Sequence, residues 1–167
     1  IDQGVWIIST VYTYLSFTGD FSVLDEICGY YNFDGTSPMA MSARPNFSDR
    51  RDSVLTHLVT ILEFLISNLD DETGCLHALY GDWNDALDGL GKTKKAGQAF
   101  GTGVSVMASL QLYKNINEMI SIIGKVGKFT EKIDTYKKEM ERIEAGLLKY
   151  AIVSDGDEHK ILHGWGD

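Results

Sequence analysis

Hydrophobic positions fall along this chain in long helical stretches separated by polar, glycine-rich segments. From Val5 to Thr18 the sequence is apolar nearly all round (Trp6, Ile7, Ile8, Val11, Tyr12, Tyr14, Leu15, Phe17), which predicts a helix buried on most of its sides. Thr18-Gly19-Asp20 stops it. Ser22 is placed to cap a short helix through Cys28, with Asp25 and Glu26 early, where they favour the helix dipole. Gly29 to Asn46 holds both prolines, Pro38 and Pro45, among Gly, Ser and Asn, and reads as a long surface loop. Between Asp52 and Leu69, the residues Val54, Leu55, Leu58, Ile61, Leu62, Leu65 and Leu69 recur at helical spacing.

Asp70 to Gly74 ends that helix, and Leu76 to Tyr80 reads as a short extended piece before a Gly- and Asp-rich loop reaching Gly101. Thr102 to Lys125 repeats apolar residues at helical spacing again. Thr130 is placed to cap a final, more charged helix running to about Tyr150, and Ala151 to Asp167 reads as extended or looped. No period-2 alternation is long enough to build a sheet core. Successive antiparallel helices joined by polar loops predict an all-α fold, part of an α/α toroid or barrel. A plain helical bundle satisfies the same pattern.

Composition narrows the partners. A formal charge of −9 argues against a duplex nucleic acid or an anionic membrane surface, both of which need a basic face. No apolar run is long enough to span a bilayer and no secretory pattern opens the chain. The two cysteines, Cys28 and Cys75, form no CxxC pair, so a cytoplasmic location is expected. Eight Tyr, seven Phe and three Trp among many carboxylates suit neutral carbohydrate. With Ile1 in place of Met and no terminal character at Leu162 to Asp167, residues 1–167 are expected to be a piece of one catalytic domain in a longer chain.

The densest chemistry lies in Tyr80-Gly81-Asp82-Trp83-Asn84-Asp85-Ala86-Leu87-Asp88-Gly89-Leu90-Gly91. Glycosidic cleavage needs a carboxylic acid held protonated beside the leaving oxygen. An indole next to it covers the apolar side of a pyranose and lowers the local dielectric, while an amide and a further carboxylate bind sugar hydroxyls. On the residues alone, a loop in which Asp82, Asp85 and Asp88 cap a turn and Trp83 is core is the favoured explanation. A calcium loop lacks its bidentate Glu and its ligand spacing. Ala86 to Thr93 nearly matches a phosphate-binding loop, but the three Asp crowd the cradle and no buried strand precedes it.

Gly81-Asp82-Trp83-Asn84-Asp85 resembles the Gly-Asp-Trp-Asn-Asp signature of the cellobiose phosphorylase family (glycoside hydrolase family 94). Asp2-Gln3-Gly4-Val5-Trp6 is similar to that family's Ser-Asp-Asp-His-Leu-Trp segment, Phe17 to Phe21 to its Ala-Thr-Gly-Asp helix end, and Asp155 to Asp167 to a later Asp-Gly stretch. The resemblance implies a segment of an (α/α)6 barrel and an inverting phosphorylase, in which inorganic phosphate attacks the anomeric carbon of a β-linked gluco-oligosaccharide and releases α-glucose 1-phosphate. It implies Asp85 as the general acid, Trp83, Asn84, Asp82 and Asp2 as substrate-binding residues, phosphate as co-substrate, and no cofactor or metal. Phosphate-binding residues are expected beyond Asp167, in the rest of the parent chain.

Gln3-Gly4 replaces Asp-His, Ala86-Leu87-Asp88 replaces Gly-Met-Asn, and Glu158 to Leu162 lacks an aromatic pair. These departures point away from cellobiose, and Asp85-Ala86-Leu87-Asp88-Gly89-Leu90-Gly91 resembles the 1,2-β-oligoglucan phosphorylase branch, which handles β-1,2-glucans. An inverting hydrolase on the same barrel, or a non-enzymatic helical interaction module, are the alternatives. A piece of a barrel is also expected to expose apolar faces and to be inactive alone.

Elsewhere, His159 and His163 stand four apart, a metal pair only on a helix that their glycine-rich surroundings do not predict. His57 and His77 read as packing residues, and Arg44, Arg50 and Arg51 as surface charge. Tyr30, Tyr31 and Phe33 suit a sugar subsite or the core equally. The charged run from Lys125 to Arg142 reads as a solvated helix face.

Overall fold

The computed structural model describes residues 2–32, 46–79 and 103–166. Within them the fold is mostly helical: α1 (Asp2–Thr18), α2 (Val54–Ser67), α3 (Val106–Val126) and α4 (Ile133–Gly146). The strands are short: β1 (Ile27–Asn32), β2 (Asn46–Ser53), β3 (Val104–Ser105), β4 (Ile152–Asp155), β5 (Glu158–Ile161) and β6 (Gly164–Trp165). They pair antiparallel in twos, β1 with β2, β3 with β6 and β4 with β5, so the core is made by helices.

Residue pairs fix the helix directions. Ser9 of α1 meets Asn115 and Glu118 of α3. Further along, Tyr12, Leu15 and Ser16 share a groove with Ser121, Ile122 and Lys125, so α1 and α3 run parallel. α2 runs the other way. A Cβ on Gly4, early in α1, would touch Ile61 and Leu65, late in α2, while Leu55, early in α2, lines a groove with Phe21 and Leu24 beyond the end of α1. Gly127 closes α3 at φ 71°, a left-handed cap in which its N–H donates to the Ile123 carbonyl, and α4 returns along α3. Ile8, Leu15, Leu58, Leu62, Leu65, Leu112, Ile116, Met119, Ile123 and Ile143 fill the space between the helices.

Several local expectations are corrected. α1 is not buried on most sides: Val5, Ile8 and Leu15 are buried, but Trp6 is 51% and Phe17 88% exposed. The helix meets α2 and α3 on one flank, and its other apolar face has no cover among the described residues. Phe64, Leu110, Leu148 and Ile161 are likewise exposed. In place of a helix from Ser22 to Cys28, a 3₁₀ turn (Phe21–Asp25) is capped by Asp20, whose carboxylate accepts from the Ser22 backbone and hydroxyl. The chain then extends as β1.

The two ends of the expected loop from Gly29 to Asn46 are strands, paired from Ile27↔Ser53 to Asn32↔Asn46 around a bulge. Residues 33–45, with Phe33, Pro38, Arg44 and Pro45, lie outside the described residues. α3 begins at Val106 with Ser105 as its cap, the Ser105 hydroxyl accepting from the Ala108 N–H, and residue 102, the expected start of the helical stretch, lies outside the described residues. Thr130 opens a 3₁₀ turn (Thr130–Lys132) with no side-chain cap, and α4 follows it. α4 ends in a π turn (Leu147–Ala151) that feeds β4.

Tyr136 of α4 is buried, and its hydroxyl finds no hydrogen-bond partner among the described residues. Burial, followed by the nearby Glu63 and Glu131 carboxylates, pushes its phenol well above the ordinary tyrosine range. An orphaned hydroxyl costs free energy where a ring of the same shape does not. Tyr136→Phe is therefore expected to leave stability unchanged or raise it by about 1 kcal/mol, read from urea unfolding of the full chain.

Candidate functional site

The stretches on either side of residues 80–102 lie side by side. The Ala78 N–H donates to the Gly103 carbonyl at 2.8 Å and the Ser105 N–H to the Leu76 carbonyl at 3.0 Å, with His77 bridged to Val104. On one flank Leu69 bridges Leu76. On the other, β6 pairs with β3 through Val104↔Trp165 and Ser105↔Gly164, and the Val106 N–H donates to the His163 carbonyl. The Ser109 hydroxyl, fully buried, accepts from the Leu76 N–H at 2.8 Å and donates to the Ser105 carbonyl at 2.6 Å. These bonds make two rigid feet at the start of α3. Leu79 stands at φ 47°, a left-handed conformation that costs a non-glycine residue about 1–2 kcal/mol and that the surrounding pairing holds in place.

Below the feet, the Asp70 carboxylate accepts from the Thr73 N–H at 2.8 Å and lies 3.8 Å from His77 Nε2. Burial works to raise this carboxyl, but the hydrogen bonds from Thr73, joined by His77, outweigh it and hold the group below the usual carboxylate range. A depressed carboxylate stabilises the folded chain above its unfolded pKa, and that contribution is lost as pH falls through its folded value. The stability gap between the native chain and Asp70→Asn is thus expected at pH 7 and to shrink once the pH drops below about 4, which urea melts across that range would read.

Of the candidate site residues, Asp82, Trp83, Asn84 and Asp85 lie outside the described residues. Asp2 is the first residue of α1. Since α1 and α3 run parallel with Ser9 level with Asn115 and Glu118, stepping back two turns on each helix puts Asp2 beside the first turn of α3. The start of α1 and the two feet therefore share one end of the helix array. Helical spacing places Trp6 one turn from Asp2 on the same face.

Other candidates resolve differently. The Tyr30 ring stacks on His57 at 4.1 Å and carries the Arg50 guanidinium at 4.3 Å. Its hydroxyl donates to Asp52, which also accepts from Arg50 Nε, each at 2.9 Å. This cluster packs the β1–β2 ribbon on α2 through Tyr30, Arg50 and His57. His159 is exposed on β5 and His163 precedes β6. Among the described residues no group of three His, Cys, Asp or Glu side chains is placed to hold a metal. Nor is any helix there long and apolar enough to cross a membrane. Lys128 pairs with Asp25 and Lys132 with Glu63, so part of the charged run ties elements together.

Sequence reasoning missed the Ser9–Lys114–Asn115–Glu118 cluster between α1 and α3. Its signal was the position of Asn115 beside Ile116, within the apolar stripe of α3 that carries Leu112 and Met119.

The profile of the Glycosyl hydrolase 94 superfamily catalytic domain matches residues 1–160. The chain is also 30% identical over 125 residues to the solabiose phosphorylase of Paenibacillus borealis, a match covering 75% of this chain and 13% of that protein. The chain thus spans a small part of that relative's length.

Proposed function

Since the chain belongs to the Glycosyl hydrolase 94 superfamily, we propose that it forms part of the (α/α)6-barrel catalytic domain of an inverting β-glucoside phosphorylase. Two parallel helices, α1 and α3, flanked by antiparallel α2 and α4, are the repeat from which such a toroid is built. The exposed apolar faces of α1 and around Leu110 and Leu148 suit burial against further helices. Phosphate attacks the anomeric carbon while Asp85 protonates the departing oxygen. Trp83 covers the donor ring, and Asp82, Asn84 and Asp2 take its hydroxyls. An inverting hydrolase needs a second carboxylate to activate water, whereas phosphate arrives already anionic.

The observation that carries this reading is the common end of the array shared by the α1 start and the feet of residues 80–102. It lets Asp2 and the signature serve one sugar. For the substrate we favour β-1,2-linked gluco-oligosaccharides, on the Ala86-Leu87-Asp88 departure from the cellobiose pattern. The relative's name brings solabiose as the second candidate.

A phosphate-dependent assay of the full-length enzyme with β-1,2-oligoglucan, cellobiose and solabiose side by side tests both levels. Glucose 1-phosphate from the β-1,2 chains supports reaction and substrate together. Phosphorolysis of either disaccharide instead keeps the reaction and replaces the substrate. Free glucose without need of phosphate would replace phosphorolysis by hydrolysis.

A further inference from the structure

Because α1 is apolar nearly all round, burial of hydrophobic surface alone fixes neither its rotation nor its height against α3. One polar cluster interrupts that interface. Glu118 is 4% exposed and Asn115 fully buried. The Ser9 hydroxyl of α1 donates to Glu118 Oε2 at 2.8 Å. Asn115 Nδ2 donates to the Ser9 hydroxyl at 2.9 Å and to Glu118 Oε2 at 3.0 Å. Lys114 Nζ, reaching in from solvent, lies 3.3 Å from the other carboxylate oxygen. Within this cluster Ser9 comes from α1 and its three partners from α3, so the serine sits like a tooth in a notch.

We propose that Ser9, Asn115 and Glu118 are positioning residues that set the height of α1 on α3, and with it the place of Asp2 beside the first turn of α3. The functional half rests on the reading of Asp2 as a sugar-binding residue. Sliding α1 by a turn would leave apolar side chains packed against other apolar side chains, at small cost. The same slide would break both hydrogen bonds to Ser9, leaving the buried Glu118 carboxylate and Asn115 amide each short of a partner, which is costly. The Asn115 carbonyl oxygen is buried with no partner among the described residues. The cluster thus carries an uncompensated group, and buried polar groups of that kind are best attested as register devices.

The test is made in the full-length enzyme, with Cys28 and any other exposed cysteines replaced and nitroxides placed at the exposed polar positions Gln3 of α1 and Asn117 of α3. The native cluster is expected to give one narrow distance. A combined Ser9→Ala, Asn115→Leu, Glu118→Met variant removes the buried partners together and leaves only the Lys114 ammonium, which is solvent-exposed. It should keep its melting temperature while the distance broadens or shifts by about a helical turn, roughly 5 Å. Its KM for the oligosaccharide should rise roughly tenfold or more with a smaller change in kcat. Glu118→Gln, which keeps an acceptor for Ser9, should restore both distance and KM.

An unchanged distance in the folded combined variant overturns the proposal. If that variant does not fold, Ser9→Ala alone carries the same two readouts. A distance that broadens while the unmodified enzyme shows no phosphorolysis supports the register device and overturns the functional reading instead.

Discussion

Asp85→Asn in the full-length enzyme is expected to lower phosphorolysis by about 10²- to 10⁴-fold while the oligosaccharide still binds. The glycosidic oxygen leaves as a poor, strongly basic alkoxide unless a proton reaches it as the bond breaks. The amide fills the volume of the carboxyl and keeps hydrogen-bonding capacity, yet it cannot supply that proton. The loss should therefore fall on kcat, with KM little changed. A substrate whose leaving group is an acidic phenol needs no such help, so an activated aryl β-glucoside should lose far less than the natural linkage. Equal losses on both would point to a binding role, and full turnover of the natural substrate would remove Asp85 from the reaction.

Gly146→Ala is expected to destabilise the chain by about 3 kcal/mol or more, because a Cβ there meets the tightest contact among the described glycines. A Cβ there would run into the Thr73 carbonyl oxygen and stand 3.0 Å from Cys75 Sγ. Both neighbours are tied down. Thr73 is bonded to Asp70, and the Cys75 carbonyl accepts from the Asp70 N–H at 2.8 Å. The end of α4 therefore cannot approach the Asp70–Leu76 turn with a side chain in the way. Because that turn leads into Leu76 to Leu79, the same substitution should also disturb the pairing of that stretch with Gly103 to Ser105. Gly124→Ala provides the control of opposite sign. Nothing lies within 4 Å of a Cβ at that helical position, so alanine should add roughly 0.5–1 kcal/mol by helix propensity. Urea melts of the two variants decide the matter, since equal effects would mean that backbone contact at Gly146 is not what limits stability.

Much of the helical framework was legible because its pattern is local. Apolar residues at helical spacing mark α2 and α3, and Ser53 and Ser105 close their first turns by accepting from Thr56 and Ala108. The β1–β2 ribbon was not legible. Asn46-Phe47-Ser48-Asp49-Arg50-Arg51-Asp52-Ser53 is polar almost throughout, and what makes it a strand is pairing with residues some twenty positions away. The Gly81–Asp85 motif is readable as a family signature, although its residue types alone suit a capping loop as well as an acid–base site.

What the sequence by itself determined is the four long helices and the family signature, because periodicity and motif are properties of neighbours in the chain, whereas the short helix expected after Ser22 gave way to β1. Tertiary structure decided which apolar faces are covered, as at Ile8 and Phe17 of one helix, and which polar residues are buried, as at Glu118. It also decided that the start of α1 shares an end with the feet of the signature segment. These depend on helix direction and register, which arise from contacts between residues more than a hundred positions apart, as between Ser9 and Glu118.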